Sequence, residues 1–157
     1  MISSPIVDTI QISEIEKNCE IVPHRGYKVW RWNPNTNKWE HPTSLRPGLA
    51  YYVKVREDCE VTLVGDKFEF KDLEIYKGWN MIAPGEVNLD QILGTCKGHL
   101  LPYKGYKVWR WEPKINGWTH PTTFELGKGY FIRSDADCKL SRFEIPLPTG
   151  RFLWWQK

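Results

Sequence analysis

The stretch Gly26-Tyr27-Lys28-Val29-Trp30-Arg31-Trp32-Asn33-Pro34-Asn35-Thr36-Asn37-Lys38-Trp39 decides the predicted fold of this chain. Residues 27–32 are rich in aromatic and β-branched side chains and alternate polar with apolar, which predicts a strand. Residues 33–37 are typical of a turn, because Asn side chains bond to nearby backbone and Pro presets φ. Trp39 then begins a returning strand, which His41-Pro42 ends. The stretch therefore predicts a β-hairpin in which Trp32 and Trp39 pair across the strands.

The first seven residues of this stretch recur unchanged as residues 105–111, and the match continues in register. The corresponding pairs further along are Pro34 and Pro113, Trp39 and Trp118, Gly48 and Gly127, Tyr51 and Tyr130, and Cys59 and Cys138. Such self-similarity indicates an internal duplication. The predicted organisation is a first repeat unit over residues 1–79 and a second over residues 80–157.

A weaker sequence similarity between the two halves follows the main repeat. Residues 67–70 (Lys-Phe-Glu-Phe) resemble residues 142–145 (Arg-Phe-Glu-Ile), and at the same spacing Trp79 corresponds to Trp154. The first unit has no residues ahead of Met1 to match those around Trp79. We therefore formulate the hypothesis that residues 150–157 return to complete the first unit.

The remaining pattern predicts short strands and few helices. Strands are predicted at residues 50–55, 59–64, 68–70, 129–133 and 138–140, and helical turns at residues 12–17 and 89–93. The predicted fold class is mostly β, an internal duplication of a small β-barrel or sandwich-like unit with one short helix per unit.

Each unit carries two cysteines in matching places, Cys19 with Cys59 and Cys96 with Cys138. Their even number and the small unit size favour one disulfide within each unit. Free buried thiols and a zinc site are the alternatives, although the sequence lacks the Cys-x-x-Cys spacing of zinc sites. Disulfides predict an extracellular or cell-surface location, with the interior of a hyperthermophile as the alternative.

Composition excludes several function classes. The 157 residues are 41% hydrophobic and 26% charged, which is typical of a globular protein and not of a disordered one. No apolar run is long enough to span a bilayer, and the N-terminal residues lack the pattern of a secretory signal. The net charge of +3 comes from dispersed residues, which disfavours nucleic acid as a partner.

Catalytic motifs are absent from the sequence. It contains no Gly-rich phosphate loop, His-Glu-x-x-His pair or Gly-x-Ser-x-Gly elbow, so we expect neither an enzyme nor a cofactor or metal. His41 and His120 occupy matching positions before a proline at a strand end, where a capping or turn role is favoured over a site role.

Nine Trp residues are unusual for this length. The ligand-binding candidates are the six on the two hairpins: Trp30, Trp32, Trp39, Trp109, Trp111 and Trp118. One interpretation makes them the core of a small β unit. The other makes them an exposed platform for sugar rings or a protein partner. Both hold if one strand face is core and the opposite face is platform, since alternation places residues 27, 29 and 31 opposite residues 28, 30 and 32.

Two resemblances concern these same residues. The hairpin over residues 29–39 resembles that of a Kelch repeat, although two units cannot close a propeller. More of the chain resembles tandem Trp-rich modules of archaeal and bacterial surface or secreted proteins, through these segments: Gly78-Trp79-Asn80-Met81-Ile82, Val108-Trp109-Arg110-Trp111, Trp118, Leu126-Gly127-Lys128-Gly129-Tyr130 and, in the first unit, Leu45-Arg46-Pro47-Gly48-Leu49-Ala50-Tyr51. That resemblance implies a non-enzymatic surface or adhesion module.

The sequence thus predicts a non-catalytic binding or structural module that contacts a surface glycan or a protein partner through its Trp-rich hairpins. A component of a viral or mobile-element assembly of thermophilic archaea, or a small hydrolase with an unrecognised site, are the alternatives. Oligomeric state and source are not predicted.

Overall fold

The computed structural model describes residues 1–142, together with the backbone of Ile145–Pro146 and of Phe152–Leu153. The chain is mostly β, as predicted, and its strands are short. The strands are β1 (Ile10–Gln11), β2 (Arg31–Asn33), β3 (Lys38–Glu40), β4 (Ser44–Leu45), β5 (Gly48–Leu49), β6 (Asp72–Ile75), β7 (Gly78–Ala83), β8 (Val108–Glu112), β9 (Gly117–Thr119), β10 (Tyr130–Ser134), β11 (Cys138–Ser141), β12 (Ile145–Pro146) and β13 (Phe152–Leu153).

The two predicted hairpins are confirmed. Strand β2 pairs with β3 so that Trp32 lies opposite Trp39, and β8 pairs with β9 so that Trp111 lies opposite Trp118. The turn of the first hairpin contains a left-handed Asn37 with φ of 53°, a conformation that Asn tolerates better than most residues. Local turn chemistry therefore sets the register of each hairpin.

The largest sheet has five strands in the order β5-β7-β10-β8-β9, and both halves of the chain contribute to it. Strand β7 is an interior strand of this sheet, because it pairs with β10 over five residues on one side and with β5 on the other. No sheet closes into a barrel among the described residues, and the other ladders contain two strands each. Strands of two to six residues do not supply the continuous, staggered ladder that barrel closure requires.

The predicted helical segments differ between the halves. Helix α1 spans Ile12–Glu16, whereas the second half has 3-10 turns at Leu89–Gln91, Gly94–Cys96 and Pro113–Ile115. The helical turn predicted over residues 89–93 is therefore present as a short 3-10 turn, and Gly94 with its φ of +53° does not continue it as a right-handed helix.

Three strand predictions in the first half are wrong, whereas the strands predicted at residues 129–133 and 138–140 are confirmed as β10 and β11. Residues 50–55 make isolated bridges, and residues 59–64 and 68–70 are not in strands. In the second half, β10 pairs with β7 and β11 pairs with β6. The first-half segments have no comparable ladder within the described part of the chain, because extended sequence forms a strand only beside a partner.

Two apolar clusters form the core of the halves. One cluster, which lies mainly in the second half, buries Ile75 of β6 together with Ile92, Cys96, Ile132 and Leu140 completely. The first-half cluster contains Ile10, Val29, Leu45 and Tyr51, and a third cluster with Ala50, Met81 and Ala83 lies where the halves meet. Burial of this apolar surface is the main stabilising contribution.

Both predicted disulfides are present, joining Cys19 to Cys59 and Cys96 to Cys138. The second is inside the core, with Cys96 fully buried and Cys138 9% exposed, whereas Cys59 of the first is exposed. The pair indicates folding in an oxidising, extracellular-type environment.

Opposite the Trp residues, the strand face predicted as core contains an arginine in each half. Arg110 is 9% exposed, lies 5.7 Å above the Tyr130 ring and points toward the backbone oxygens of Met1 and Gly129. Arg31 lies 5.9 Å above Tyr51, and burial lowers the pKa of its guanidinium. This face is only partly core, because Tyr27 and Tyr106 on it are 49% and 50% exposed. Cation–π contacts stabilise the buried arginine charges.

The hypothesis that residues 150–157 complete the first unit falls mostly outside the described residues. Phe152–Leu153, the two that are described, pair with Ile145–Pro146. The hypothesis stays a prediction. In the part of the chain that the structure describes, no helix has the length and apolarity needed to cross a membrane.

Candidate aromatic binding site

The six candidate Trp side chains lie at the surface of the two hairpins with different exposures. Trp39 and Trp118 are the most exposed, at 44% and 41%, and the other four are partly buried. Each exposed Trp lies on the returning strand of its hairpin. Trp39 packs against Trp30, and Trp118 packs against Trp109, while the rest of each ring contacts solvent. These residues are neither a closed core nor a fully free platform.

Each hairpin holds its Trp residues in an aromatic stack. The His41 ring stacks on Tyr27 at 3.6 Å between ring centres and meets the edge of Trp30 at 4.3 Å. Its Nδ1 lies 3.1 Å from the carbonyl oxygen of Val29, and the Trp30 Nε1 donates to the carbonyl oxygen of Tyr27 at 3.2 Å. These contacts fix the orientation of the Trp30 ring.

The second hairpin repeats these contacts at the corresponding residues. His120 stacks on Tyr106 at 3.6 Å, meets Trp109 at 4.3 Å and places its Nδ1 3.1 Å from the Val108 carbonyl oxygen. Trp109 lies 5.9 Å from Trp118, the same distance that separates Trp30 from Trp39 in the first hairpin. Both histidines therefore act as spacers inside an aromatic stack, which agrees with the structural role favoured from the sequence.

A bridge of two side chains joins the hairpin stacks into one continuous aromatic surface. Tyr52 lies 6.4 Å from Trp39 and 6.0 Å from Phe131, and Phe131 lies 6.1 Å from Trp118. Trp79 packs edge-on against Phe131 at 6.1 Å. Such tilted and edge-to-face geometries are the favourable ones for aromatic pairs.

This surface contains a cleft of about 500 Å³, which we call the aromatic cleft. Its lining consists of Trp32, Trp39, Trp79, Tyr103, Lys104, Trp109, Trp118 and Phe131. Four of the six predicted residues thus line one cavity. Trp30 and Trp111 line a second groove, which Trp39 also borders.

Sequence reasoning missed Trp79, Tyr103, Lys104 and Phe131 as lining residues. Trp79 and Phe131 are on the paired strands β7 and β10, so only strand pairing brings them to the hairpins. The sequence position of Phe131 could have identified it, because Phe131 lies between Tyr130 and Ile132 in a predicted strand. The structure buries both neighbours, at 1% and 0% exposed. Period-two alternation then places Phe131 on the opposite, outward face.

The charge in the aromatic cleft comes from one side chain of its described lining, Lys104. The Nζ of Lys104 lies 5.4 Å from the Tyr103 ring centre. Trp39 and Trp118 are 44% and 41% exposed, so part of each indole ring is accessible to solvent or a ligand. Burial raises the pKa of the neighbouring Tyr52 to about 12, so its phenol stays a neutral hydrogen-bond donor at physiological pH.

The described lining of the cleft holds no carboxylate, histidine or cysteine, and its groups able to transfer a proton or act as a nucleophile are the Tyr103 phenol and the Lys104 amine. Within the described residues, no group of three or more His, Cys, Asp or Glu side chains is placed to hold a metal ion. Stacking and hydrogen bonding are the interactions that this lining favours. Comparisons with protein-family models, curated proteins and solved structures found no match for this chain.

Proposed function

We propose that this protein is a non-catalytic binding module that holds a glycan in the aromatic cleft. The observation that carries the proposal is the continuous aromatic surface, which spans both hairpins and exposes Trp39 and Trp118 beside a cavity of about 500 Å³. Pyranose rings have faces of C–H bonds that stack on aromatic rings, while their hydroxyls accept and donate hydrogen bonds at the edge. Large aromatic side chains with one polar handle suit such a half-wet site.

The rigidity of the stacks supports binding. The Trp30 and Trp109 rings are held by a backbone hydrogen bond and by an edge-on histidine, so the Trp39 and Trp118 rings beside them lose little further freedom when a ligand binds. A prearranged aromatic surface reduces the entropy lost on association. Two similar stacks joined through Tyr52 and Phe131 also suit an elongated chain of sugar rings more than a single ring.

The location that fits this function is the cell surface or the extracellular space. The two disulfides support it, as does the sequence resemblance to surface and secreted modules. A protein partner is the second candidate, because the cleft lining is almost wholly apolar and contains Trp and Tyr residues, which are enriched where interfaces bind most strongly.

The test is a titration of intrinsic Trp fluorescence with a panel of polysaccharides, followed by calorimetry on any responder. We expect a saturable shift with one glycan class. Trp118→Ala and Trp39→Ala should each weaken binding about 10-fold or more, if loss of one stacked ring costs at least about 1.4 kcal/mol. Val64→Ala is the control, because Val64 is 93% exposed and does not line the cleft.

Two results contradict the glycan proposal. One is the absence of a saturable shift across the panel. The other is binding that Trp118→Ala and Trp39→Ala leave at the affinity of Val64→Ala. Capture of a protein partner that is lost in Trp118→Ala but kept in Val64→Ala favours the second candidate.

A further inference from the structure

Two cationic side chains lie beside neighbouring aromatic rings of the aromatic cleft. The Lys104 Nζ lies 5.4 Å from the centre of the Tyr103 ring, and the Arg133 guanidinium carbon lies 6.0 Å from the centre of the Trp79 ring. These two rings pack edge-on at 5.6 Å, and both line the cleft. Arg133 lies directly opposite Trp79 in the pairing of β10 with β7. Both cations are exposed, so this side of the cleft presents positive charge to a ligand.

Lys104 is held in a tight turn that disfavours lysine. Tyr103 and Tyr106 exchange backbone hydrogen bonds of 2.9 and 3.0 Å, so Lys104 and Gly105 form a two-residue turn, with φ of 49° and 87°. Turns of this kind favour Asn or Asp at the first position, because most side chains are strained at positive φ. Strained residues concentrate at functional sites, which points to a role for the Lys104 side chain itself.

The first half has cations at both corresponding positions. The register of the sequence repeat matches Arg25 to Lys104 and Lys54 to Arg133. Arg25 also has a positive φ, at 50°, and it precedes a glycine as Lys104 does. Arg25 and Lys54 both line the second groove, beside the aromatic stack of the first hairpin. Each half therefore combines a Trp-rich stack with two positive charges, although the lysine and the arginine exchange places.

The charged surroundings favour the second-half cations as an anion site. The second groove, which has a volume of about 750 Å³, also contains the carboxylates of Glu57 and Asp58. The described lining of the aromatic cleft contains no carboxylate. An anion beside Lys104 therefore meets attraction without repulsion from an acidic side chain of that lining.

We propose that the glycan bound in the aromatic cleft is acidic, and that Lys104 and Arg133 bind its carboxylate or sulfate groups. This inference rests on the proposed function and adds the chemical class of the ligand. The sugar rings stack on the Trp rings of the cleft, while the anionic substituents at the ring edges reach the two cations. Both cations form charge-assisted hydrogen bonds with such oxygen atoms, and arginine can donate two parallel N–H groups to one anion.

Calorimetric titration with matched polysaccharides, at an ionic strength of about 0.15 M, tests the proposal. Polygalacturonate is compared with its methyl ester, and dextran sulfate is compared with dextran, so that each pair shares its sugar rings and differs in charge. We expect the acidic member of one pair to bind at least about 10-fold more tightly than its neutral counterpart. A preference within the first pair identifies a carboxylate ligand, and a preference within the second pair identifies a sulfate ligand.

Two substitutions test the cations directly. Lys104→Asn removes the charge and suits the left-handed turn position, so we expect the fold to be kept. Lys104→Asn and Arg133→Gln should each weaken binding of the acidic polysaccharide about fivefold and leave binding of its neutral counterpart unchanged. Lys17→Asn is the matched control, because it removes the same charge from a side chain that is 66% exposed at the end of α1. It should leave both affinities unchanged, since surface charges more than about 8 Å apart are largely screened.

Three outcomes overturn the proposal. The first is no preference for the acidic member in either pair. The second is acidic binding that Lys104→Asn and Arg133→Gln leave at the affinity of Lys17→Asn. The third is acidic binding that persists in Trp118→Ala and Trp39→Ala, which means that the polyanion binds outside the cleft. Loss of charge selection alone leaves the glycan proposal standing, whereas the absence of any Trp-dependent polysaccharide binding contradicts the glycan proposal itself.

Discussion

Removal of each disulfide separately is expected to destabilise the protein by different amounts, and the difference can be worked from the structure. Cys19–Cys59 and Cys96–Cys138 have sequence separations of 40 and 42 residues. In the chain-entropy treatment, loops of this length contribute about 4 kcal/mol each at 25 °C. Loop length alone therefore predicts equal losses for the two paired substitutions to alanine.

The two disulfides differ in how deeply they are buried, so we expect unequal losses of stability. Both cysteines of the second pair are buried, with Cys96 0% and Cys138 9% exposed, whereas in the first pair Cys19 is 5% exposed and Cys59 is exposed. Cys96→Ala with Cys138→Ala therefore removes one more packed sulfur atom than Cys19→Ala with Cys59→Ala, which adds a cavity contribution of about 1 kcal/mol. We expect a loss of about 5 kcal/mol for the first pair and about 6 kcal/mol for the second.

Urea unfolding monitored by Trp fluorescence measures both losses. In a parallel assay, limited reduction followed by alkylation and peptide mass spectrometry should find Cys19–Cys59 reduced first, because the reductant reaches Cys59 from solvent. The reasoning is refuted if the first pair costs as much stability as the second, or if Cys96–Cys138 is reduced first.

Three further predictions concern single residues. Gly94→Ala should destabilise the fold more than Gly98→Ala. Both glycines have a positive φ, but only at position 94 would the added methyl group collide with the Lys139 carbonyl oxygen. Equal urea midpoints for the two variants would contradict this. Arg110→Ala should lower the free energy of unfolding by about 2–3 kcal/mol, through lost packing and hydrogen bonds of a buried side chain; an unchanged value would show that its stacking contributes nothing. Burial raises the pKa of Tyr52 to about 12, so its contribution is complete below pH 10 and is lost as pH rises from 10 toward 12. Tyr52→Phe should therefore lose less stability than wild type between pH 9 and pH 11 in urea unfolding, and parallel losses would argue against the shift.

The sequence by itself determined the local features of this protein. The hairpin pairing of Trp32 with Trp39 follows from a short turn, where Asn and Pro chemistry fixes the register within a few residues. Alternation separated the two strand faces without deciding which of them is inward, and the burial of Arg110 was not predicted. The disulfide pairing followed from the matching placement of four cysteines, since each unit offered one pair.

Only the tertiary structure decided which extended segments became strands and which residues share the cleft. Residues 50–55 and 129–133 have similar patterns, yet only the second segment lies beside a long partner strand, β7. The same pairing brings Trp79 and Phe131 to hairpins that are distant in sequence. The physical reason is that a strand is stabilised by hydrogen bonds to a neighbour, and side-chain alternation specifies a face without specifying the neighbour that covers it.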